Sequence, residues 1–172
     1  MKNKRKYFVL VVVLGAFITS GPYAHAQDDE TTRPTLRGLQ GIFVYVEPLD
    51  TQIEQNGLTR NQIQTDMESV LKLAGIHVLP KEEFLKGIGH PYLYGNVNIS
   101  MLRTQITRYL FYIRIELHQE VLLVRAPNTK VSAVTWSAGG WGIDFSLDHV
   151  RETVKAQVDK FISAYLAENP KP

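Results

Sequence analysis

A long alternation of apolar and polar residues over positions 109–123 constrains the fold of this chain more than any other feature. Because successive side chains of a β-strand point to opposite faces, this pattern predicts a long strand with one buried face and one face in water. The buried face requires a covering layer from elsewhere in the chain. The apolar positions are Tyr109, Phe111, Ile113, Ile115, Leu117, Val121 and Leu123, and the polar ones are Arg114, Glu116, His118 and Glu120.

The clearest helix signal lies between residues 59 and 75. Thr59 and Gln62 have the spacing of a capping box, in which each side chain bonds the backbone N–H of the other residue. Apolar residues then recur at helical spacing, and Gly75 stands where a left-handed C-terminal cap is expected. Apolar segments at 41–48 and 76–79 flank this helix. The order predicts a βαβ unit with two parallel strands.

The rest of the chain predicts three more strands and a second helix. Alternating segments place strands at 92–101, 109–125 and 131–138, and glycines at 139, 140 and 142 are expected to end the last of them. A helix capped by Ser146 or Asp148 follows, with an apolar stripe up to Leu166. The predicted fold class is α+β, a two-layer α/β arrangement. It has a mixed five-stranded sheet, element order β-α-β-β-β-β-α, and two helices packed on one face.

The first 26 residues have the three parts of a secretory signal peptide. Basic residues at positions 2–6 precede an uncharged apolar run at 8–18, and a small-residue segment follows. Ala24 and Ala26 fit a signal-peptidase site, which predicts cleavage after Ala26. The apolar run is about half the ~20 residues that a spanning helix needs, so no stable membrane anchor is expected after cleavage. We predict a signal peptide at 1–26, a flexible lead-in at 27–37 and a single α/β domain at 38–172, in the periplasm or fully secreted.

Charge and cysteine content narrow the classes of partner and chemistry. The leader holds four of the 19 basic residues and none of the 17 acidic ones, so the remaining chain has a formal net charge of −2. The pI of about 8.8 for the whole chain therefore reflects the leader, and no nucleic-acid partner is expected. The chain has no cysteine, which excludes disulfides, a thiolate metal site, a cysteine nucleophile and a lipid-modified cysteine within it.

Several segments resemble small exported bacterial proteins of unknown function. They are residues 71–79, 91–98, 135–137 and 158–166, and the resemblance covers roughly residues 36–171. It implies no particular reaction. A helix leading into a short strand, a three-strand meander and a C-terminal helix are also similar to the N-terminal α/β domain of the Tol-system periplasmic protein TolB and to related envelope accessory domains. That likeness implies protein–protein contacts within the envelope.

The polar face of the long strand is the first candidate site. Glu116, His118 and Glu120 occupy alternate positions on it, and Arg114 extends the row. Neighbouring side chains on one face of a strand stand about 6.6–6.8 Å apart. Two carboxylates and an imidazole could converge on a zinc-like ion if a neighbouring strand supplied a fourth ligand, or the carboxylates could act as acid and base. The alternative is a solvated face with cross-strand ion pairs.

Glycine-rich and aromatic positions are the other candidates. Residues 137–142 lie between a strand and a helix, where backbone amides can bind an anion, but they lack the lysine of a phosphate-binding loop. Trp136 and Trp141 are candidate contact residues if exposed and core residues if not. Three tyrosines could line a groove for a sugar or a peptide, or be ordinary half-buried sheet residues. They are Tyr92, Tyr94 and Tyr112.

These features favour a non-enzymatic periplasmic accessory protein that binds another envelope protein. Such a protein would bind its partner through a sheet edge or through the polar face around residues 114–120. This interpretation predicts a surface apolar patch or an open strand edge. One alternative is a small-ligand-binding periplasmic protein that uses the tyrosines and the glycine-rich turn. Another is a metal-dependent enzyme built on Glu116, His118 and Glu120. The sequence predicts no cofactor and leaves the oligomeric state open.

Overall fold

The computed structural model describes residues 27–170. The predicted signal peptide and its cleavage site at Ala24 and Ala26 lie outside the described residues. Among the helices of the described part, none is both long enough and apolar enough to cross a membrane.

Four strands form one open mixed sheet with the spatial order β1-β2-β3-β4. The first two strands run parallel, and the pairs β2–β3 and β3–β4 are antiparallel. The long alternating segment is the third strand, as its pattern predicts. The strands are β1 at Phe43–Val46, β2 at Tyr92–Arg103, β3 at Thr107–Leu123 and β4 at Ala126–Asp144.

Within residues 27–170, four α-helices accompany the sheet, so the predicted mixed α+β class is confirmed. They are α1 at Thr51–Gln55, α2 at Arg60–Leu73, α3 at Lys81–Phe84 and α4 at Leu147–Glu168. The capping box of α2 is present: Gln62 N donates to Thr59 Oγ1 at 3.3 Å, and Thr59 N donates to Gln62 Oε1 at 2.8 Å. Gly75 has a φ of 79°, the left-handed conformation expected after a helix.

The core lies between the sheet and the helices α2 and α4. Both helices turn apolar stripes toward one face of the sheet, and the period-two apolar positions of β2 and β3 meet them. Burial of these side chains supplies the main driving force for the fold. The fully or nearly fully buried residues of the core include Val44, Ile63, Met67, Leu71, Leu93, Ile113, Ile115, Leu117, Val154, Val158 and Phe161.

The predicted five-stranded sheet is wrong by one strand. Residues 76–79 form only an isolated parallel bridge, between Val78 and Ile42. Two backbone hydrogen bonds hold this bridge: Ile42 N donates to His77 O and Leu79 N donates to Ile42 O, both at 2.9 Å. Pro80 follows at once and has no backbone N–H to continue the pairing. The segment therefore ends before a ladder can form.

The prediction that glycines would end β4 near residue 138 is also wrong, since the strand continues to Asp144. Gly142 and Gly139 pair with Phe111 and Arg114 in the register of β3. A β-carbon at Gly142 would come within 2.6 Å of the Phe111 ring. Glycine is needed here for close approach to β3, which is compatible with an uninterrupted strand.

The segment predicted as a flexible lead-in, residues 27–37, lies against the domain. It contains a short 3-10 helix at Arg33–Leu36, and Leu36 is fully buried. Asp28 accepts a hydrogen bond from the indole of Trp136, and Thr35 Oγ1 donates to the carbonyl of Thr135 at 3.3 Å. The polar composition of this segment does not predict these contacts, because only one apolar side chain and a few hydrogen bonds make them.

Candidate binding site

The sheet face that points away from α2 and α4, here called the open face, collects most of the predicted site residues. The sheet register aligns Tyr45, Tyr94, Glu116 and Ser137 in one row across the four strands. The next row, on β2, β3 and β4, contains Asn96, Arg114 and Gly139. Register therefore brings together side chains that are far apart in the sequence.

One end of the open face is a stack of aromatic rings. Phe84 of α3 stacks on Phe43 with ring centroids 4.9 Å apart, and Tyr92 stacks on His118 at 4.7 Å. Tyr94 meets the edge of the same imidazole at 5.3 Å. These rings cover one another, so Tyr92 and Tyr94 are half-buried sheet residues and do not present free ring faces to a ligand.

Glu116 is the centre of the polar part of the open face. Its Oε1 atom lies 3.3 Å from a guanidinium nitrogen of Arg114, and its Oε2 atom lies 3.3 Å from Nε2 of His118. The side chains of Glu116 and His118 are only 13% and 19% exposed, respectively. Partial burial strengthens such contacts relative to water, so this part of the predicted row forms one local network.

A second polar chain runs beside Glu116 through Glu47, Tyr94 and Asn96. Asn96 is buried, and its side-chain amide donates to the carboxylate of Glu47. Burial, followed by a hydrogen bond to Glu47 and the negative charge of Glu47, raises the pKa of Tyr94 to about 12. The phenol of Tyr94 therefore keeps its proton at neutral pH and serves as a hydrogen-bonding group of the sheet.

Glu120 does not join the network. Its carboxylate pairs with Lys130 of β4 at 3.1 Å, and a register shift in the β3–β4 pairing lies between Leu117 and His118. The described residues contain no group of three or more His, Asp or Glu side chains that could hold a metal ion. Of the predicted triad, only Glu116 and His118 are brought together.

The two tryptophans have opposite positions. Trp136 is fully buried and packs edge-on against Phe161 of α4 at 5.2 Å, which is the core position, one of its two interpretations from the sequence. Trp136 follows the register shift of β4, which places its side chain on the helix-covered face opposite Leu117. Trp141 lies on the open face opposite Tyr112 and is 75% exposed. It is available for contact with another molecule.

A groove of about 610 Å³ lies along the outer edge of β4. Its walls include Ser137 and Gly139 from the open face of β4 and Ala138 and Gly140 from the other face. Since residues from both faces of the strand line it, the groove follows the strand edge itself. The remaining lining residues are Gln27, Asp28, Tyr112, Arg114, Glu116 and Lys160.

The charges of the groove are mixed. Arg114 and Lys160 supply cations, and Glu116 and Asp28 supply carboxylates. A hydrogen bond from Arg33 is the main cause that lowers the pKa of Asp28, although partial burial opposes it. The Nε atom of Arg114 is buried and has no hydrogen-bond partner among the described residues, while its side chain as a whole is 43% exposed. The groove thus offers both hydrogen-bond donors and hydrogen-bond acceptors beside an unpaired strand edge.

The glycines of the groove have different roles. A β-carbon at Gly139 would collide with the backbone carbonyl oxygen of Ile113, so this position is fixed by close approach of β3. A β-carbon at Gly140 would meet nothing within 4 Å. Gly140 therefore leaves space in the groove that the fold does not require to be empty.

Sequence reasoning found Arg114, Glu116 and the glycine-rich segment but missed Asp28 and Lys160. Asp28 belongs to a polar segment with no periodic signal, and it reaches the groove through its bond to Trp136. Lys160 is an exposed residue of α4 with no pattern that marks it. No local signal could have identified either residue, because only the packing of distant segments places them beside β4.

Comparisons of this chain with known proteins find similarity among solved structures. No protein-family model matches it, and no curated protein matches it. Among solved structures, the chain is similar to a minor lipoprotein from Acinetobacter baumannii. The two share 9% sequence identity with a TM-score of 0.30, and the match covers 76% of this chain and 93% of that chain.

Proposed function

We propose that this chain is a non-enzymatic accessory protein of the bacterial envelope that binds another envelope protein by pairing with the free edge of β4. The single observation that carries the proposal is the groove along residues 137–140, where a strand edge is unpaired. The signal-peptide pattern of residues 1–26 supports a location in the envelope, with the periplasm as the compartment.

The edge of β4 is open over residues 137–143. It is the last strand of the sheet, and none of the described residues outside the sheet makes a backbone hydrogen bond to this stretch. An edge strand presents alternating N–H and C=O groups that can pair with a further strand. The N-terminal segment makes hydrogen bonds to the neighbouring part of β4, at Thr135 and at the indole of Trp136, and it also lines the groove with Gln27 and Asp28.

The sequence of this edge lacks the usual protection against pairing. Residues 137–143 read SAGGWGI, with no charged residue and no proline. Charged side chains and prolines are common devices by which edge strands avoid association. Their absence from this stretch of sequence favours a surface that receives a strand.

We expect the groove to accept an extended peptide because it follows the unpaired edge of β4. In strand addition, main-chain hydrogen bonds provide affinity and alternate side-chain pockets provide specificity. The space beside Gly140 and the exposed ring of Trp141 are the side-chain contacts that β4 offers. Aromatic anchors next to a sheet edge are typical of peptide-binding surfaces.

The test is site-specific photocrosslinking in cells that produce the full chain. A photoreactive amino acid at Lys160, on the rim of the groove, is compared with one at Lys72 of α2, which is exposed and does not line the groove. We expect one discrete crosslinked protein at position 160 and none at position 72. Equal products at both positions, or none at 160, would contradict the proposal.

A second variant tests the space beside Gly140. The β-carbon of Gly140→Val meets no atom within 4 Å, so the protein should fold normally, while the added side chain occupies space that we propose a partner side chain enters, and the crosslink at 160 should weaken. Ser100→Val, on the open face of β2, is the matched control and should leave the crosslink unchanged. Hydrogen exchange of the purified complex should show protection of the backbone amides at 137–143. Unprotected amides at 137–143 would rule out pairing at this edge, and a crosslink that survives Gly140→Val at full strength would exclude the space beside Gly140 as a partner contact.

A small-ligand-binding function is the second candidate, and the size of the groove favours it. Ligand pockets typically have volumes of about 300–1,000 Å³, and this groove lies in that range with Tyr112 and the glycines in its wall. Native mass spectrometry of protein recovered from the periplasm distinguishes the two. A small molecule retained by the wild type and lost in Gly140→Val, with no crosslinked protein, would favour the ligand.

A further inference from the structure

The end of the open face farthest from the aromatic stack is strongly apolar. Leu110 pairs in register with Ile143, and Trp141 lies one row away opposite Tyr112. We call this surface the apolar end and define it by six exposed residues. They are Leu102 at 41% exposure, Ile106 at 58%, Leu110 at 39%, Trp141 at 75%, Ile143 at 53% and Phe145 at 63%.

The tip of the β2–β3 hairpin belongs to this end and is free on both faces. Every residue from 102 to 108 is exposed, although the strands on either side of the turn are paired with each other. Ile106 lies in the turn itself. The outer edges of this two-stranded tip are unpaired, because β1 pairs with β2 only at residues 92–95 and β4 pairs with β3 only from Tyr109 onward. The backbone of the tip therefore belongs at the hydrated level of lipid headgroups, from which the aliphatic side chain in the turn can reach the acyl boundary.

The charges around the apolar end are positive. The sequence from residue 84 to residue 115 contains no Asp or Glu, and Arg103 and Arg108 flank the hairpin turn. Within residues 27–170, neither arginine is ion-paired. Arg108 lies over the ring of Phe145, with its guanidinium carbon 5.4 Å from the ring centroid. Arg108 is thus held beside an apolar side chain of this end, while Nε of Arg103 donates to Sδ of Met101 at 3.2 Å.

The nearest acidic side chain in the register points elsewhere. Asp144 pairs with Tyr109, whose alternation places it on the helix-covered face of the sheet. Its Oδ1 atom accepts from the backbone N–H groups of Phe145 and Ser146 at 2.7 and 2.9 Å, and lies 3.1 Å from Nδ1 of His149. It closes the turn into α4 and does not neutralise Arg103 or Arg108.

From these observations we infer that the apolar end docks reversibly on an anionic lipid bilayer, with the hairpin tip and Trp141 at the level of the headgroups. Aliphatic side chains enter the acyl boundary, tryptophan prefers the interface, and arginines bind anionic headgroups. A second copy of this chain fits less well, because a symmetric contact would bring the same arginines together. The inference does not depend on the proposed function, although the apolar end shares Trp141 and Ile143 with the open edge of β4.

The experiment uses vesicles and the intrinsic tryptophan signal. The chain has two tryptophans, of which Trp136 is buried and Trp141 is on the apolar end, and the leader has none. The exported protein, with its N-terminus established by intact mass, is mixed with vesicles of phosphatidylcholine alone or with about one third phosphatidylglycerol. We expect co-sedimentation with the anionic vesicles, weakened by salt, and quenching of Trp141 by lipids brominated on the acyl chains.

Two matched variants assign the contact. Ile106→Glu should weaken binding to anionic vesicles by at least about tenfold, because it removes an inserting side chain and adds a like charge to the lipid. Val124→Glu, which is 97% exposed at the opposite hairpin between β3 and β4, should bind as the wild type does. Trp141→Phe should remove the quenching and keep most of the binding.

Several results would overturn the inference. They are absence of binding to either vesicle, equal losses in Ile106→Glu and Val124→Glu, or vesicle binding without quenching of Trp141. If vesicles do not bind but Ile106→Glu abolishes a protein crosslink, the apolar end contacts a protein partner instead. The β4 crosslink at position 160 is measured on the same Ile106→Glu protein. A loss of lipid binding at the apolar end is thereby distinguished from a loss of partner binding at the β4 groove.

Discussion

The indole Nε1 of Trp136 donates a hydrogen bond of 2.9 Å to Oδ1 of Asp28, a residue 108 positions earlier in the chain. The indole is fully buried beside Phe161, so this carboxylate is the partner of a donor that water does not reach. Arg33 binds the same carboxylate through two hydrogen bonds: Nε donates to Oδ1 at 2.7 Å, the oxygen that also accepts from the indole, and Nη2 donates to Oδ2 at 3.0 Å. The contact joins the N-terminal segment to β4 at the end of the groove.

Removal of this acceptor should destabilise the domain. We expect Asp28→Ala to lower the free energy of unfolding by about 1–3 kcal/mol, because a buried N–H group is left without a partner. Urea unfolding at neutral pH measures the difference. Arg33→Ala is the control: it removes the ion pair at a well-exposed side chain and should change stability little. Equal losses in both variants would contradict a role for the indole bond.

The same contact predicts an acid dependence of stability. The pKa of Asp28 is lowered in the folded state, chiefly by its hydrogen bond from Arg33, so the folded protein binds this proton less readily than the unfolded chain does. The stabilisation is therefore complete above about pH 4 and is lost as the pH falls through the lowered pKa. Unfolding curves between neutral pH and about pH 2 should show a smaller decline in Asp28→Asn than in the wild type. Identical declines would exclude Asp28 as a contributor.

The raised pKa of Tyr94 predicts that stability decreases as the pH rises in the alkaline range, the opposite direction to the effect of Asp28. Its pKa of about 12 is above the ordinary value of about 10, so the folded protein holds a proton that the unfolded chain releases. Stability should therefore fall as the pH rises from about 10 to about 12. Titration of tyrosinate absorbance should show a late step that Tyr94→Phe removes. Tyr112→Phe, on the exposed part of the face, should leave the late step in place.

Neighbouring glycines of β4 should respond differently to the same substitution. Gly139→Ala places a methyl group against the backbone of Ile113, which cannot move without disturbing the β3 pairing, and should cost about 1–3 kcal/mol. Gly140→Ala meets open space and should be neutral or stabilise by up to about 1 kcal/mol, because it restricts the unfolded chain. Thermal unfolding of the two variants tests this, and a reversed order would show that the strand approaches β3 elsewhere.

An ion pair between Asp66 and Arg151 should couple α2 to α4. Arg151 Nη2 donates to Asp66 Oδ1 at 2.8 Å, and Nε donates to the other oxygen, so the pair is bidentate. Asp66→Ala and Arg151→Ala should each cost about 1–3 kcal/mol, with the double variant costing less than their sum. Glu68 and Lys72, a more exposed pair on α2 at 3.4 Å, are the control, and Lys72→Ala should cost below about 0.5 kcal/mol.

Local sequence determined the elements that depend on neighbouring residues. The alternation over residues 109–123 produced β3, and the capping box with Gly75 bounded α2, because these signals act within a few positions along the chain. The apolar stripes of α2 and α4 also determined that both helices cover one face of the sheet. The proximity of Glu116 and His118 follows from the same alternation, because the two residues stand two positions apart on one face of the strand. The exposure of Trp141 does not, because the predicted strand ended before it.

Only the tertiary structure decided which residues from distant parts of the sequence come into contact. Residues 76–79 have the composition of a strand, but Pro80 and the position of Ile42 limit them to one bridge. β4 runs through three glycines because β3 approaches closely there, a contact that no local pattern encodes. The groove forms only when Asp28 of the N-terminal segment and Lys160 of α4 lie beside β4. The apolar end forms only when β2, β3 and β4 pair in register. Packing between distant parts of the chain brings these side chains together. A pattern of neighbouring residues in the sequence contains no information about that packing.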